Sequence, residues 1–278
     1  MTDNTIELDA GTIRYETAGP ESGRPIVFVH GYWMGGHVWS QVSQRLAARG
    51  LRCIAPTWPM GAHTQPLRQG ADRSIHGVAG IVAEFLGALD LDDVVLVGND
   101  SGGVVSQLVA VHHPERIGAL TLTSCDAFEH FPPPILNPVL LAAKSETLFP
   151  LAIQAMRLPI ARQRAYGGLA HASVDDLART WVRPALSNDA IAEDLRQLTL
   201  SFRTEVTTGV AARLPEFGKP ALIAWSADDV FFDLEDGRRL AAALPNARLE
   251  VIEGARTFSM VDQPDRLADL LSTIAVTA

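Results

Sequence analysis

The chain has 278 residues, of which 47% are hydrophobic and 20% charged, and it carries a formal net charge of −9. That length is enough to bury a full core, that composition is globular rather than disordered, and that charge argues against nucleic acid or an anionic membrane as partner. Met1–Asp9 lacks the basic-then-apolar order of a secretory leader, and no uncharged apolar run approaches the roughly 20 residues of a membrane span. A cytoplasmic protein is therefore expected, with Cys53 and Cys125, each in an apolar run, as buried free thiols. No His/Cys spacing suggests a metal site.

In chain order, Ile6–Leu8 and Ile13–Glu16 read as two short strands. Pro25–Val29 is a continuous apolar run, as expected of a strand buried on both faces. It leads into His30-Gly31-Tyr32-Trp33. The spacing predicts a helix over Val38–Ala48 with Gly50 as its stop, a buried strand over Arg52–Ala55, and a helix over Ser74–Leu89 with Ser74 as N-cap. The strand beginning at Val94 runs into Gly98-Asn99-Asp100-Ser101-Gly102-Gly103 and then a helix to about His113. Ile117–Ser124 is the next strand. Asp126–Pro134 is polar and ends in three prolines, and from there to about Leu214 the pattern is helical, with no convincing buried strand: Pro138–Ala143, Phe149–Met156, Ala161–Tyr166, Val174–Leu186 and Asp189–Leu200. Strands resume at Pro220–Trp225 and Arg248–Ile252, alternating with helices at Leu234–Leu244 and Pro264–Ile274. Strand–helix alternation implies a mostly parallel sheet, here of eight strands, with helices on both faces. The helical stretch is too long for a connection. The expected organisation is a core of residues 1–127 and 215–278, with residues 128–214 inserted as a helical lid.

Strand, glycine turn, helix is the setting of a nucleophile elbow, where one side chain is lifted above the sheet on a strained turn. The residues two before and two after it must be small. Centred on Asp100, those positions are Gly98 and Gly102; centred on Ser101, they are Asn99 and Gly103. Asn99 is the bulky one, so Asp100 is the predicted elbow residue and Ser101 its follower. A phosphate loop fits less well, because no Lys-Ser or Lys-Thr pair follows.

With the His30-Gly31 turn, the elbow and the inserted block, the chain resembles the α/β-hydrolases over nearly its whole length. G-x-D-x-G at Gly98–Gly102 is similar to the haloalkane dehalogenase and epoxide hydrolase branch, which uses aspartate where esterases use serine. The resemblance implies Asp100 as nucleophile and the backbone N–H groups of Tyr32 and Ser101 as the oxyanion donors, which would also help to hold Asp100 ionised. It implies a catalytic acid at Asp229, with Asp126 in an alternative acid position. The family histidine should follow the last strand, but Gly254-Ala255-Arg256-Thr257-Phe258 puts Thr257 there. Threonine is no general base at neutral pH. Of the eight histidines, His30 orders its turn in this fold. His37, His63, His130 and His171 are the ones whose positions allow them to reach Asp100. Neither the tryptophan that dehalogenases carry after the nucleophile nor the lid tyrosine pair of epoxide hydrolases is present. Ser101 and Tyr166 stand there instead, and Trp33 could supply an indole N–H. His30, Trp33, Asp126 and Tyr166 are the expected pocket residues.

A carboxylate titrates ordinarily at about pH 4 and is ionised at pH 7 without a base, so Asp100 could still attack carbon. The leading expectation is a cofactor-free hydrolase of small apolar molecules of haloalkane, epoxide or ester type, with no nucleic-acid or membrane partner. A lyase, isomerase or cyclase using Asp100 as general base is the alternative, and a catalytically inactive ligand-binding homologue is the third.

Overall fold

The computed structural model describes residues 1–277. β1 (Thr2–Leu8) and β2 (Gly11–Ala18) form an antiparallel hairpin at one edge. They are longer than expected from the sequence, because polar edge-strand positions hide the alternation; every second residue of β1 faces solvent. β3 (Pro25–Val29), β4 (Arg52–Thr57), β5 (Val94–Asp100), β6 (Ile117–Cys125), β7 (Ala221–Ser226) and β8 (Ala247–Ile252) complete an eight-stranded sheet in the order β1-β2-β4-β3-β5-β6-β7-β8. β2 meets β4 antiparallel, and every pairing beyond it is parallel. The central strands are apolar throughout because both their faces are covered.

A 3₁₀ turn at Gly36–Trp39 leads into α1 (Ser40–Ala47), and Gly50 sits just past its end at φ +83°. α2 (Ile75–Ala88) starts at Ser74, whose Oγ accepts the Gly77 N–H at 3.1 Å. α3 (Ser101–His112) begins directly at the elbow. Between β6 and β7 come α4 (Asn137–Ala143), α5 (Leu148–Ile153), α6 (Pro159–Tyr166), α7 (Asp175–Ser187), α8 (Asp189–Leu200) and α9 (Thr204–Ala211).

Apolar spacing alone predicts no α9. Its Val-Thr-Thr-Gly-Val stretch is a poor helix former. Tertiary contact overrides that: Thr204 Oγ1 donates to the Phe131 carbonyl at 2.8 Å, and Thr207 Oγ1 to that of Phe128. α10 (Leu234–Ala243), α11 (Ser259–Asp262) and α12 (Pro264–Thr277) close the chain. α1 packs on α12 and α2 on α3. Cys53 and Cys125 are free and buried. Among the described residues, no helix is long and apolar enough to cross a membrane.

The parallel strands all point the same way, so the residues at and after their ends converge at one edge of the sheet: His30–Trp33 after β3, Asp100 at the end of β5, Asp126 after β6, Asp229 after β7 and Thr257 after β8.

Candidate active site

Asp100 ends β5 and caps α3 with φ +54° and ψ −135°, a backbone region that side chains other than glycine rarely adopt. Steric demands around it fix the register. A Cβ on Gly102 would lie 2.4 Å from the carbonyl oxygens of both Val29 and His30. One on Gly98 would lie 2.6 Å from the Gly102 oxygen. Gly103 sits as tightly against Cys125.

Asn99 is accommodated for a different reason. Its side chain turns away from the elbow, and Nδ2 donates to the carbonyls of Thr123 at 3.1 Å, Ser124 at 3.2 Å and Thr257 at 2.9 Å. This buried amide therefore ties β6 to the loop after β8. In the sequence Asn99 reads only as an obstacle, although a polar residue inside an apolar strand is a signal that it has a partner.

The Asp100 carboxylate sits against two backbone donors. Oδ1 accepts the Ser101 N–H at 2.6 Å and the Tyr32 N–H at 3.3 Å. Gly31 lets the turn come this close, since a Cβ there would fall 2.2 Å from Asp100 Oδ1. Both bonds favour the ionised form, in the direction expected. Burial outweighs both bonds and pushes the Asp100 pKa up to about 6.

Two further carboxyls lie at this edge. Ser101 Oγ donates to Asp126 Oδ2 at 2.9 Å, while Asp126 Oδ1 is buried with no hydrogen-bond partner. Burial, and then the charge of Asp100, push the Asp126 carboxyl well above the usual range. Asp229 Oδ1 accepts the N–H groups of Phe231 at 2.9 Å and Phe232 at 3.1 Å, and also Thr257 Oγ1 at 2.9 Å. Burial raises its pKa too. Asp228 is the turn residue beside it, paired with His171.

A cavity of about 290 Å³ opens above Asp100. Tyr32, Trp33, Ser101, Asp126 and Tyr166 line it, with an apolar wall from the helical block that includes Leu136, Val139, Ile153 and Met156. Asp229 and Thr257 are bonded to each other but do not line it. Nor does His30, which corrects its placement as a pocket residue. Its Nε2 accepts the Trp58 N–H at 2.8 Å and its Nδ1 meets the Gly31 carbonyl at 3.0 Å, so it fixes the turn as a neutral ring. Burial lowers its pKa to about 3.

The four histidines with positions near Asp100 are all engaged elsewhere and absent from the lining: His37 with Thr180, His63 with Asp194, His130 with Asp236 and His171 with Asp228. The Tyr166 hydroxyl is likewise committed, donating to the Trp33 carbonyl at 2.9 Å. No group of three or more potential metal ligands occurs among the described residues.

Comparison with known proteins agrees with this architecture. Over 261 residues the chain is 22% identical to a 2-hydroxy-6-oxononadienedioate/2-hydroxy-6-oxononatrienedioate hydrolase of Dechloromonas aromatica, covering 87% of this chain and 83% of that protein. It is 26% identical to haloalkane dehalogenase 2 of Mycobacterium bovis over 270 residues, covering 95% and 91%. The crystal structure of an alpha/beta hydrolase fold protein from Burkholderia ambifaria superposes with a TM-score of 0.81 at 22% identity, covering 96% of each chain. A family model described as alpha/beta hydrolase fold matches residues 24–264. On that match, and on the sheet and elbow that underlie it, the chain belongs to the alpha/beta hydrolase fold family.

Proposed function

We propose that this member of a hydrolase family acts on small, largely apolar molecules by nucleophilic attack from Asp100. The observation that carries the reading is the carboxylate itself. It stands on the strained elbow, faces an apolar cavity, and has Oδ1 held by two backbone N–H groups. Oδ2 lies outside both of those bonds and is the attacking oxygen. Attack on an electrophilic carbon bearing a leaving group forms an ester to Asp100 and expels the leaving group with its electron pair; attack on an epoxide opens the ring to an alkoxide. Oδ1 then becomes the ester carbonyl oxygen. When water adds to that ester, the Ser101 and Tyr32 N–H groups face the developing oxyanion.

The second step is where this chain differs from a triad enzyme. On this reading Thr257, whose Oγ1 donates to Asp229, stands in for the histidine, and no imidazole lines the cavity. Losing a general base typically costs about 10²–10⁴-fold, so the ester is expected to accumulate. Intact-mass measurement after incubation with haloalkanes, epoxides and activated esters tests this directly. An adduct on the Asp100 peptide, absent in Asp100→Asn, is the expected result. Thr257→His places an imidazole next to Asp229 and should clear the adduct faster. Turnover by the native chain with no adduct at any time would sink the covalent reading.

One observation favours a second reading. A carboxyl titrating near 6 is well matched to general-base work near neutral pH. A lyase or isomerase reaction needs one such proton transfer and no histidine. Exchange of a substrate C–H proton with solvent deuterium, without adduct, is its signature.

A further inference from the structure

The exposed apolar side chains of this protein are concentrated in the helical segment that supplies part of the cavity wall. Nine large hydrophobic residues are exposed among the described ones. Six of them, Ile135, Leu141, Leu148, Leu151, Leu158 and Ile160, fall within residues 135–160, with exposures from 47% to 78%. Several of them adjoin residues that line the cavity. Ile135 itself lines the cavity, Leu141 lies one helical turn beyond the lining residue Pro138, and Leu148 lies one turn before the lining residue Ala152. Isolated surface leucines need no explanation, but a cluster that merges with an apolar cavity marks an interaction surface.

Charge identifies the occupant. The whole chain is −9, yet residues 134–165 contain Lys144, Arg157, Arg162 and Arg164 against a single acid, Glu146. Arg162 is buried on Asp175, and Glu146 pairs with Arg196. Arg157 is exposed and bonds Gln154 and the Leu186 carbonyl, with no carboxylate partner. Lys144 and Arg164 are exposed and have no ion-pair partner among the described residues. An apolar face fringed with unpaired cations matches the boundary of a lipid layer with anionic headgroups, where leucines enter the acyl region and each cation adds attraction. A second copy of this chain, acidic overall, would have to offer a self-complementary face, which this cationic fringe opposes.

We propose that the α4–α6 face docks on anionic lipid surfaces, and that the cavity receives its substrate from that apolar phase. The docking rests on the surface alone; the delivery of substrate rests on the reading of the cavity as the active site. The full-length protein is tested by co-sedimentation with vesicles of phosphatidylcholine alone and of phosphatidylcholine with phosphatidylglycerol. Binding to the anionic vesicles, weak binding to the neutral ones, and salt sensitivity are expected. Lys144→Gln with Arg164→Gln should weaken vesicle affinity about 30-fold, and Leu148→Ser with Leu151→Ser should abolish sedimentation while leaving the circular dichroism spectrum unchanged. Asp100→Asn should bind like the native chain, so loss of chemistry and loss of docking are read separately. No binding to either vesicle, equal binding to both, or a dimer in sedimentation equilibrium that Leu148→Ser with Leu151→Ser dissolves would overturn the proposal.

Discussion

At the scale of single residues, the chemistry turns on how strongly burial acts on a carboxyl. Asp100 has two backbone donors on one oxygen, and its pKa still rises from 3.8 to about 6. The native state therefore holds this proton more tightly than the unfolded chain does. The resulting penalty is absent below the unfolded value, grows between pH 4 and 6, and is fully present above the folded value. A shift of this size corresponds to about 3 kcal/mol, so Asp100→Asn is expected to stabilise the protein by up to about that amount at pH 7. The difference between variant and native chain should vanish near pH 3.5, as chemical denaturation across that range will show. Adduct formation should run the other way, rising with pH through about 6 as the carboxylate ionises. Native stability that is no lower than that of Asp100→Asn at pH 7 would contradict the burial argument.

At the scale of elements, the elbow and the helix caps carry different weights. Ser74 caps α2 with one hydrogen bond, and Ser74→Ala is expected to cost about 1 kcal/mol in thermal or denaturant unfolding. Gly102→Ala meets two backbone carbonyls of the β3 turn at 2.4 Å, where no side chain can yield. The strand–helix junction must then shift, so soluble expression or adduct formation should be lost at a cost of several kcal/mol. Asn99 works between elements. Its amide joins the elbow strand to β6 and to the Thr257 loop, and Asn99→Ala would leave buried carbonyls unpaired at about 1–3 kcal/mol. The register of the elbow is legible from two glycines because the crowding there is a matter of local backbone geometry. The partner of Asn99 is not, because it lies 158 residues away on another loop.

At the scale of the whole molecule, the cavity belongs to neither the sheet edge nor the helical block alone. Tyr32, Asp100 and Asp126 form its floor, and Val139, Met156 and Ala165 form part of its wall. An apolar ligand present at 100 times its Kd should stabilise the chain by about 2.7 kcal/mol. Ala165→Phe, which places a ring in that space, should remove the ligand-induced rise in Tm while leaving the unliganded protein folded. Charge at this scale also differs from charge in total. A chain of −9 carries a cationic, leucine-rich fringe at one place, which a sum over the sequence conceals.

The sequence by itself determined the eight strands, the site of the elbow and the identity of the residue on it, because apolar periodicity and glycine sterics are local properties. Its resemblance to the family also gives the expectation that Thr257 stands where a histidine would. Only the tertiary structure decided what surrounds those residues. It committed His37, His63, His130 and His171 to partners of their own, made His30 a turn-fixing ring outside the cavity, brought Asp126 onto Ser101, and stabilised α9 against its own propensity. Hydrogen-bond partners and burial are set by which strands and helices come together, and residues far apart in the chain meet only when the sheet has closed.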